Sequence, residues 1–260
     1  MDAFRGFPSG VLPRHFGLVA TFTTRKNMDK TIGMIGGLGP EATIDYYKRI
    51  VDFFHERNQS LSSPEIVICS VDISRLFRLV DEQRWNSLVE WLVEKIVSLK
   101  NAGADFAAIS ANTPHIVFDQ IQAQSPLPLI SIVDATLESA KAKGFTRLGL
   151  LGTRFTMQSN FFGERFAKEN VAVVVPNDDE QSLIHEKLVN EIELGIFTEP
   201  TRQQLLAIVE NMRVRENIDA IILGCTELPL ILNEAPAEIS FLNTTAIHVE
   251  AICRYCAQGA

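Results

Sequence analysis

Asp219-Ala220-Ile221-Ile222-Leu223-Gly224-Cys225-Thr226-Glu227 runs in step with an earlier stretch, Asp105-Phe106-Ala107-Ala108-Ile109-Ser110-Ala111-Asn112-Thr113. Each has an acid, four apolar residues and a small residue, and then Ala111 stands where the later copy has Cys225. A short apolar run bounded by polar or small residues reads as a buried strand of a parallel sheet. Two further runs echo each other: Thr31-Ile32-Gly33-Met34-Ile35-Gly36-Gly37 and Arg147-Leu148-Gly149-Leu150-Leu151-Gly152-Thr153. Gly33 lies 78 positions before Ala111, and Gly149 lies 76 before Cys225, so the spacing repeats with the sequence.

Amphipathic stretches fill the gaps between these runs. Pro40-Glu41-Ala42-Thr43 opens a helix to about Asn58, with Pro and an acid in its first turn. Residues 65–71 read as a strand, 85–101 as a helix, 106–110 as a strand, 114–122 as a helix and 127–132 as a strand. The second half reads as a strand ending at Gly152-Thr153, a helix over 157–169, a strand over 171–175, helices over 181–195 and 201–216, and a strand over 220–223. A last helix covers about 245–256. Strands alternating with helices predict βαβ units, hence an α/β fold of two pseudo-symmetric parallel-sheet domains with an active site in the cleft between them. The expected division is an N-terminal extension over 1–29, a first domain over 30–130 plus 240–258, and a second over 131–239.

The bulk numbers narrow the function. The 260 residues are 46% hydrophobic and 22% charged, with a net charge of −8, as for a soluble globular protein able to bury a core without crosslinks. No basic run offers a surface for nucleic acid, and no apolar run of about 18 residues predicts a membrane span. The four cysteines suggest a reducing compartment and no disulfide framework, so a cytoplasmic location is expected. Cys253-x-x-Cys256 is a weak zinc or redox signal, since no second pair completes a ligand set, and no metal is expected. Residues 1–29 hold Arg5, Arg14, His15, Arg25 and Lys26 against Asp2 alone before residue 29, which fits either a transit peptide to an organelle or an extended start.

In open parallel sheets, ligands bind beyond the carboxyl ends of the strands. Four such ends carry small or hydroxyl-bearing residues: Gly36-Gly37, Ala111-Asn112-Thr113, Gly152-Thr153 and Gly224-Cys225-Thr226. Gly33-x-x-Gly36-Gly37-x-Gly39 has the wrong spacing for a dinucleotide fingerprint and reads as a tight turn near an anion. Cys225, at a strand end before a possible helix N-terminus, is expected to favour its thiolate and act as base or nucleophile. Asn112, Thr113, Thr153, Thr156, Thr226 and Glu227 are candidate substrate-binding groups or helix caps, and Leu38 in the glycine turn joins the substrate-binding set. His115, three residues after Asn112, is expected to support the site through a neighbouring group.

From about residue 30 to 252 the chain resembles the cofactor-independent aspartate/glutamate racemases. The likeness rests on Ile32-Gly33-Met34-Ile35-Gly36-Gly37 with Pro40-Glu41-Ala42-Thr43, on Asn112-Thr113-Pro114-His115, on Leu151-Gly152-Thr153-Arg154-Phe155-Thr156-Met157, on Gly224-Cys225-Thr226-Glu227 and on Thr245-Ala246-Ile247-His248. It implies two α/β domains, commonly a homodimer, a small amino-acid substrate, and neither pyridoxal phosphate nor metal. It also implies two cysteines that remove and return the Cα proton on opposite faces. Cys225 matches the second; Ala111 takes the place of the first, where some members have Thr. Asn112, Thr113, Thr153 and Thr226 match residues that bracket the substrate's carboxylate and amino groups. The basic residues that hold a distal carboxylate are less clear: Arg75 and Arg78 are candidates, and Glu193-Leu194 stands where a Lys before the glycine is implied.

The first expectation is a racemase of acidic amino acids, impaired or one-directional because Ala111 cannot carry a proton. A one-cysteine decarboxylase like the arylmalonate decarboxylases is the alternative, since it needs only one proton donor. A binding protein that keeps the site without turnover is the third.

Overall fold

The computed structural model describes residues 29–236 and 238–258. The N-terminal segment up to residue 28, with its possible transit peptide, lies outside the described residues. The first half runs β1 (Ile32–Gly36), α1 (Pro40–Asn58), β2 (Ile66–Ser70), α2 (Ile73–Asp81), α3 (Trp85–Asn101), β3 (Phe106–Ile109), a 3-10 turn (Thr113–Val117), α4 (Phe118–Gln124) and β4 (Leu129–Ile130). The second runs α5 (Ile132–Ala142), β5 (Arg147–Leu151), α6 (Arg154–Gln158), α7 (Phe161–Ala167), β6 (Ala172–Val174), α8 (Asp178–Asn190), a 3-10 turn (Ile192–Leu194), α9 (Glu199–Glu216), β7 (Ala220–Leu223), α10 (Leu228–Ile231), β8 (Ser240–Asn243) and α11 (Thr244–Ala257). No helix among the described residues is long and apolar enough to cross a membrane.

Two parallel four-stranded sheets result, ordered β2-β1-β3-β4 and β6-β5-β7-β8. The repeat seen in the sequence is a repeat in space. Ile35 pairs with Ile109 and Leu151 with Leu223. Asp105 accepts the Thr31 N–H, and Asp219 accepts the Arg147 N–H, so each acid ties the first strand of its unit to the third.

Buried Val, Ile and Leu fill both faces of each sheet, as parallel sheets require. On the first sheet, Leu88, Leu92 and Ile96 of α3 cover one face, while Tyr46, Ile50 and Phe54 of α1 cover the other. Full burial of each such side chain contributes roughly 1.5–3 kcal/mol.

The two halves exchange their last helices. α5 follows β4 of the first sheet, yet its Ile132, Leu137 and Ala140 pack with Leu148, Leu150 and Phe166 of the second half. α11 follows β8 of the second sheet, yet its Val249, Ile252 and Cys253 pack with Ile32, Met34 and Tyr46 of the first. One boundary moves as a result. Residues 240–243 form β8 and pair with β7, so they belong to the second sheet, and the chain crosses to the first half only at α11.

Other differences are local. The helix read over 157–169 is two helices: Thr153 caps α6 by accepting the Thr156 N–H, and α7 restarts after Asn160. The helix read from Gln181 begins three residues earlier, at Asp178, where Asn177 and Glu180 form a capping box. Cys253 and Cys256 are buried on α11, and Cys256 donates to the Lys30 carbonyl at 3.0 Å. Burial pushes both thiols up to about 12, so the Cys-x-x-Cys pair serves as core.

Candidate active site

Beyond the carboxyl ends of β1, β3, β5 and β7, the two halves face each other across a narrow cleft. Ala111, Asn112 and Thr113 line it from the first half. Thr153 and Thr156 line it from the start of α6, and Cys225, Thr226 and Glu227 from the end of β7. Leu38 closes one side. Leu38, Ala111, Asn112, Thr113, Thr153, Thr156, Cys225, Thr226 and Glu227 therefore meet in one place. Ser110, next to Ala111, is fully buried outside the cleft, and its hydroxyl donates to the Ile35 carbonyl at 3.0 Å.

Cys225 is only 7% exposed, and its Sγ donates to Glu227 Oε2 at 3.1 Å. The Thr226 hydroxyl donates to the same oxygen at 3.0 Å. The expectation of a stabilised thiolate is corrected here. Burial raises the thiol's pKa well above the usual range, and the charges of Glu227 and Glu193 raise it further. The helix that follows, α10, is a single short turn and does not reverse this. Glu227 is itself raised by burial, against the lowering effect of the bonds it accepts from Cys225 and Thr226. Its Oε1 has no partner among the described residues and lies over the backbone of Gly39, where any Cβ would overlap it.

Asn112 is oriented by its neighbours. The Thr244 hydroxyl donates its one proton to the Leu223 carbonyl at 2.7 Å, so toward Asn112 it can only accept. Asn112 Nδ2 therefore faces Thr244 at 3.3 Å, and the buried Oδ1 is left without a partner among the described residues beside the cleft. A buried acceptor without a donor costs about 1–3 kcal/mol, so this atom suits a ligand N–H.

His115 lies behind the cleft wall. Its Nδ1 bonds the Ala111 carbonyl at 3.0 Å, and its Nε2 accepts the Ile132 N–H at 3.3 Å, which assigns a neutral ring. Burial lowers its pKa to about 4. His248 is lowered to about 3, by burial and then by His115. Its Nε2 bonds the Ile130 carbonyl and its Nδ1 the Tyr46 hydroxyl. These rings fix the backbone entering Asn112 rather than exchange protons with a ligand.

The distal end differs from the expectation. Arg75 is exposed and lies 4.9 Å over the Trp91 ring. Arg78 is exposed in the last turn of α2, and Arg154 is exposed beside Thr153. None of the three lines the cleft, and no Lys, Arg or His does among the described residues. Glu193 does, from the 3-10 turn before Gly195. Sequence reasoning also missed the apolar wall of Ile73, Leu76 and Phe77 on α2. Its signal was present in Asp72-Ile73-Ser74, where Asp72 caps α2 by accepting the Ser74 N–H. A larger depression lies around His115, Phe118 and Arg165, but it holds no cysteine and its Arg165 is paired with Asp134. The strand-end cleft is the one with convergent chemistry.

Residues 35–252 match the family model described as Asp/Glu/Hydantoin racemase. The chain is 24% identical over 219 residues to the broad specificity amino-acid racemase RacX of Bacillus subtilis, covering 83% of this chain and 93% of that one. Among solved structures, it is similar to an aspartate racemase homologue from Pyrococcus horikoshii: 32% identity, TM-score 0.77, with 88% of this chain and 99% of that one covered. A protein of Yersinia pestis, provisionally named an Asp/Glu racemase, superposes with a TM-score of 0.80 at 34% identity, over 87% of this chain and 99% of that one.

Proposed function

Because this chain belongs to the Asp/Glu/hydantoin racemase family, an isomerase family, we propose that it exchanges the Cα proton of an amino acid from one face, with Cys225 as the proton carrier. The observation that carries this is the Cys225–Glu227 pair, buried in the cleft, with Ala111 at the register-equivalent position of the other half.

The chemical problem is a carbanion next to a carboxylate, which needs a base at the Cα hydrogen and donors on the carboxylate. The hydroxyls of Thr113 and Thr153 supply donors, and Asn112 Oδ1 accepts from the substrate ammonium. Cys225 passes its proton to Glu227, which leaves a thiolate beside a neutral carboxylic acid. The thiolate then takes the Cα proton. Return from the same thiol restores the original enantiomer with the hydrogen exchanged. Return from water on the Ala111 side inverts it, more slowly, because no side chain there holds a proton.

The acidic substrates named for several relatives find no cation among the described residues of this cleft to meet their second carboxylate, so substrate identity rests on the lining residues of this chain. A one-cysteine decarboxylase is the second reading. It is favoured by Ala111 together with the apolar wall of Ile73, Leu76 and Phe77, and carbon dioxide release from an arylmalonate is its test.

Incubating the protein with single amino acids in deuterated water, and following Cα–H by NMR and chirality by chiral chromatography, tests the first reading. Exchange faster than inversion is expected, with exchange lost in Cys225→Ser. Absence of exchange with every amino acid would rule the reading out.

A further inference from the structure

The buried side-chain atoms left open in the cleft among the described residues are acceptors. Asn112 Oδ1 and Glu227 Oε1 are buried without partners among the described residues, and both residues line the cleft. Glu193 lines it as well, and makes no hydrogen bond or ion pair with another side chain among the described residues. No cationic side chain lines the same space among the described residues. A ligand that satisfies this set must bring N–H donors and positive charge, since a second carboxylate would meet two carboxylates and no counter-charge.

The three acceptors are not equivalent. Glu227 is held by the thiol and hydroxyl of the Cys225 side, at the reacting end. Asn112 sits on the opposite half, at the end of β3. Glu193 comes from a separate turn between α8 and α9 and is near enough for its charge to act on Cys225. The cleft thus has one acceptor set for the α-ammonium and a separate carboxylate for the rest of the substrate. Burial, and then Glu227, pushes Glu193 up to about 7, the expected state of a carboxyl waiting for a positive partner.

We infer that Glu193 selects the substrate's side chain, and that the substrate is an amino acid carrying an ammonium or guanidinium group, as in lysine, ornithine or arginine. This rests on the reading of the cleft as an amino-acid site. Asn112 and Glu227 take the α-ammonium, and Glu193 pairs with the distal cation. The apolar methylenes between the two charges run along Ile73, Leu76 and Phe77 of α2.

The test compares lysine and ornithine with aspartate and glutamate, using methionine as the neutral reference. It measures two quantities on the full chain: Cα–H exchange in deuterated water, and thermal stabilisation by each amino acid. Lysine or ornithine should exchange at least 10-fold faster than aspartate or glutamate. In Glu193→Gln, the ratio of lysine to methionine exchange should fall at least 10-fold. That ratio does not depend on how much of the variant folds. Glu193→Lys should reverse the order and favour the acidic pair. Faster exchange of aspartate or glutamate in the unaltered protein would overturn the inference, and so would a lysine-to-methionine ratio unchanged in Glu193→Gln. If nothing exchanges but lysine alone stabilises the protein, in a manner lost in Glu193→Gln, the specificity stands and the catalytic reading falls. If nothing exchanges and no amino acid stabilises it, both fall.

Discussion

Ala111 and Cys225 occupy the same register position in two copies of one unit: Ile35 pairs with Ile109, Leu151 pairs with Leu223, and each residue follows two places after that pair. Both line the cleft. Pseudo-symmetry thus places a methyl and a thiol on the two halves that line one cleft. Ala111 is 5% exposed, so a cysteine there adds one sulfur at the cleft wall. Ala111→Cys is expected to raise inversion relative to exchange by about 10²-fold, the scale of one positioned acid or base. Chiral chromatography and NMR on the same sample give both rates. An unchanged ratio would mean that residue 111 does not face the reacting carbon.

The Cys225–Glu227 pair yields a prediction in which two readouts move in opposite directions. Glu227 raises the thiol's pKa by its charge, yet it also offers the acceptor that takes the thiol's proton. In Glu227→Gln the charge is gone, so alkylation by iodoacetamide should reach its midpoint at lower pH. Proton exchange at the substrate should nevertheless fall on the order of 10²-fold, because the proton acceptor is lost. If exchange rose with alkylation, Glu227 would only be a source of unfavourable charge.

Gly39 couples the start of α1 to that pair. Its φ is 127°, outside the range L side chains favour, and a Cβ there would overlap Glu227 Oε1. Gly103 is a natural control, with φ 98° and open space where a Cβ would sit. Both Gly→Ala variants should lose about 1–3 kcal/mol in denaturant unfolding from backbone strain. Gly39→Ala alone should also lose exchange activity, as Glu227 is pushed off its bond to Cys225. Equal activity in the two variants would show that Glu227 is free to move aside.

The parts of the molecule legible in the sequence are those with strong periodicity or an internal copy. The helix over 85–101 and the strand over 220–223 have the ends that their apolar patterns predict. The four strand ends were readable because the repeat aligned them. What stayed hidden was set by tertiary contacts. α5 is amphipathic but short, and it follows a strand whose pairing covers only Leu129 and Ile130, so the mostly apolar run over 127–133 concealed the change of element. β8 pairs along Ser240–Asn243, a run with too little alternation to signal a strand. The thiol's environment was unreadable for a similar reason. Local sequence places Cys225 before a helix start, while its pKa is governed by burial and by Glu227 and Glu193, one of them 32 positions away in sequence. Glu193 itself was visible only as an acid where a base was implied.

The buried histidines set a stability limit in acid. His115 and His248 are held neutral, with pKa values lowered to about 4 and about 3, and their ring centres lie 6.4 Å apart. In the unfolded chain each titrates near 6.5. Below that pH the unfolded state binds protons that the folded state refuses, so stability present above pH 6.5 is lost as the pH falls toward 4. For His115 the loss between pH 7.5 and pH 5 is about 2 kcal/mol by linkage. Glu193 acts in the opposite sense over part of this range, since its raised pKa lets the folded state hold a proton that the unfolded chain has released. A comparison with His115→Asn isolates the histidine, because Asn keeps a donor for the Ala111 carbonyl and does not titrate. Urea unfolding at pH 7.5 and pH 5 should show the unaltered protein losing about 2 kcal/mol more than His115→Asn. Parallel losses in the two proteins would mean that His115 is protonated in the folded state, and that the bond it makes at the cleft wall is not the neutral one.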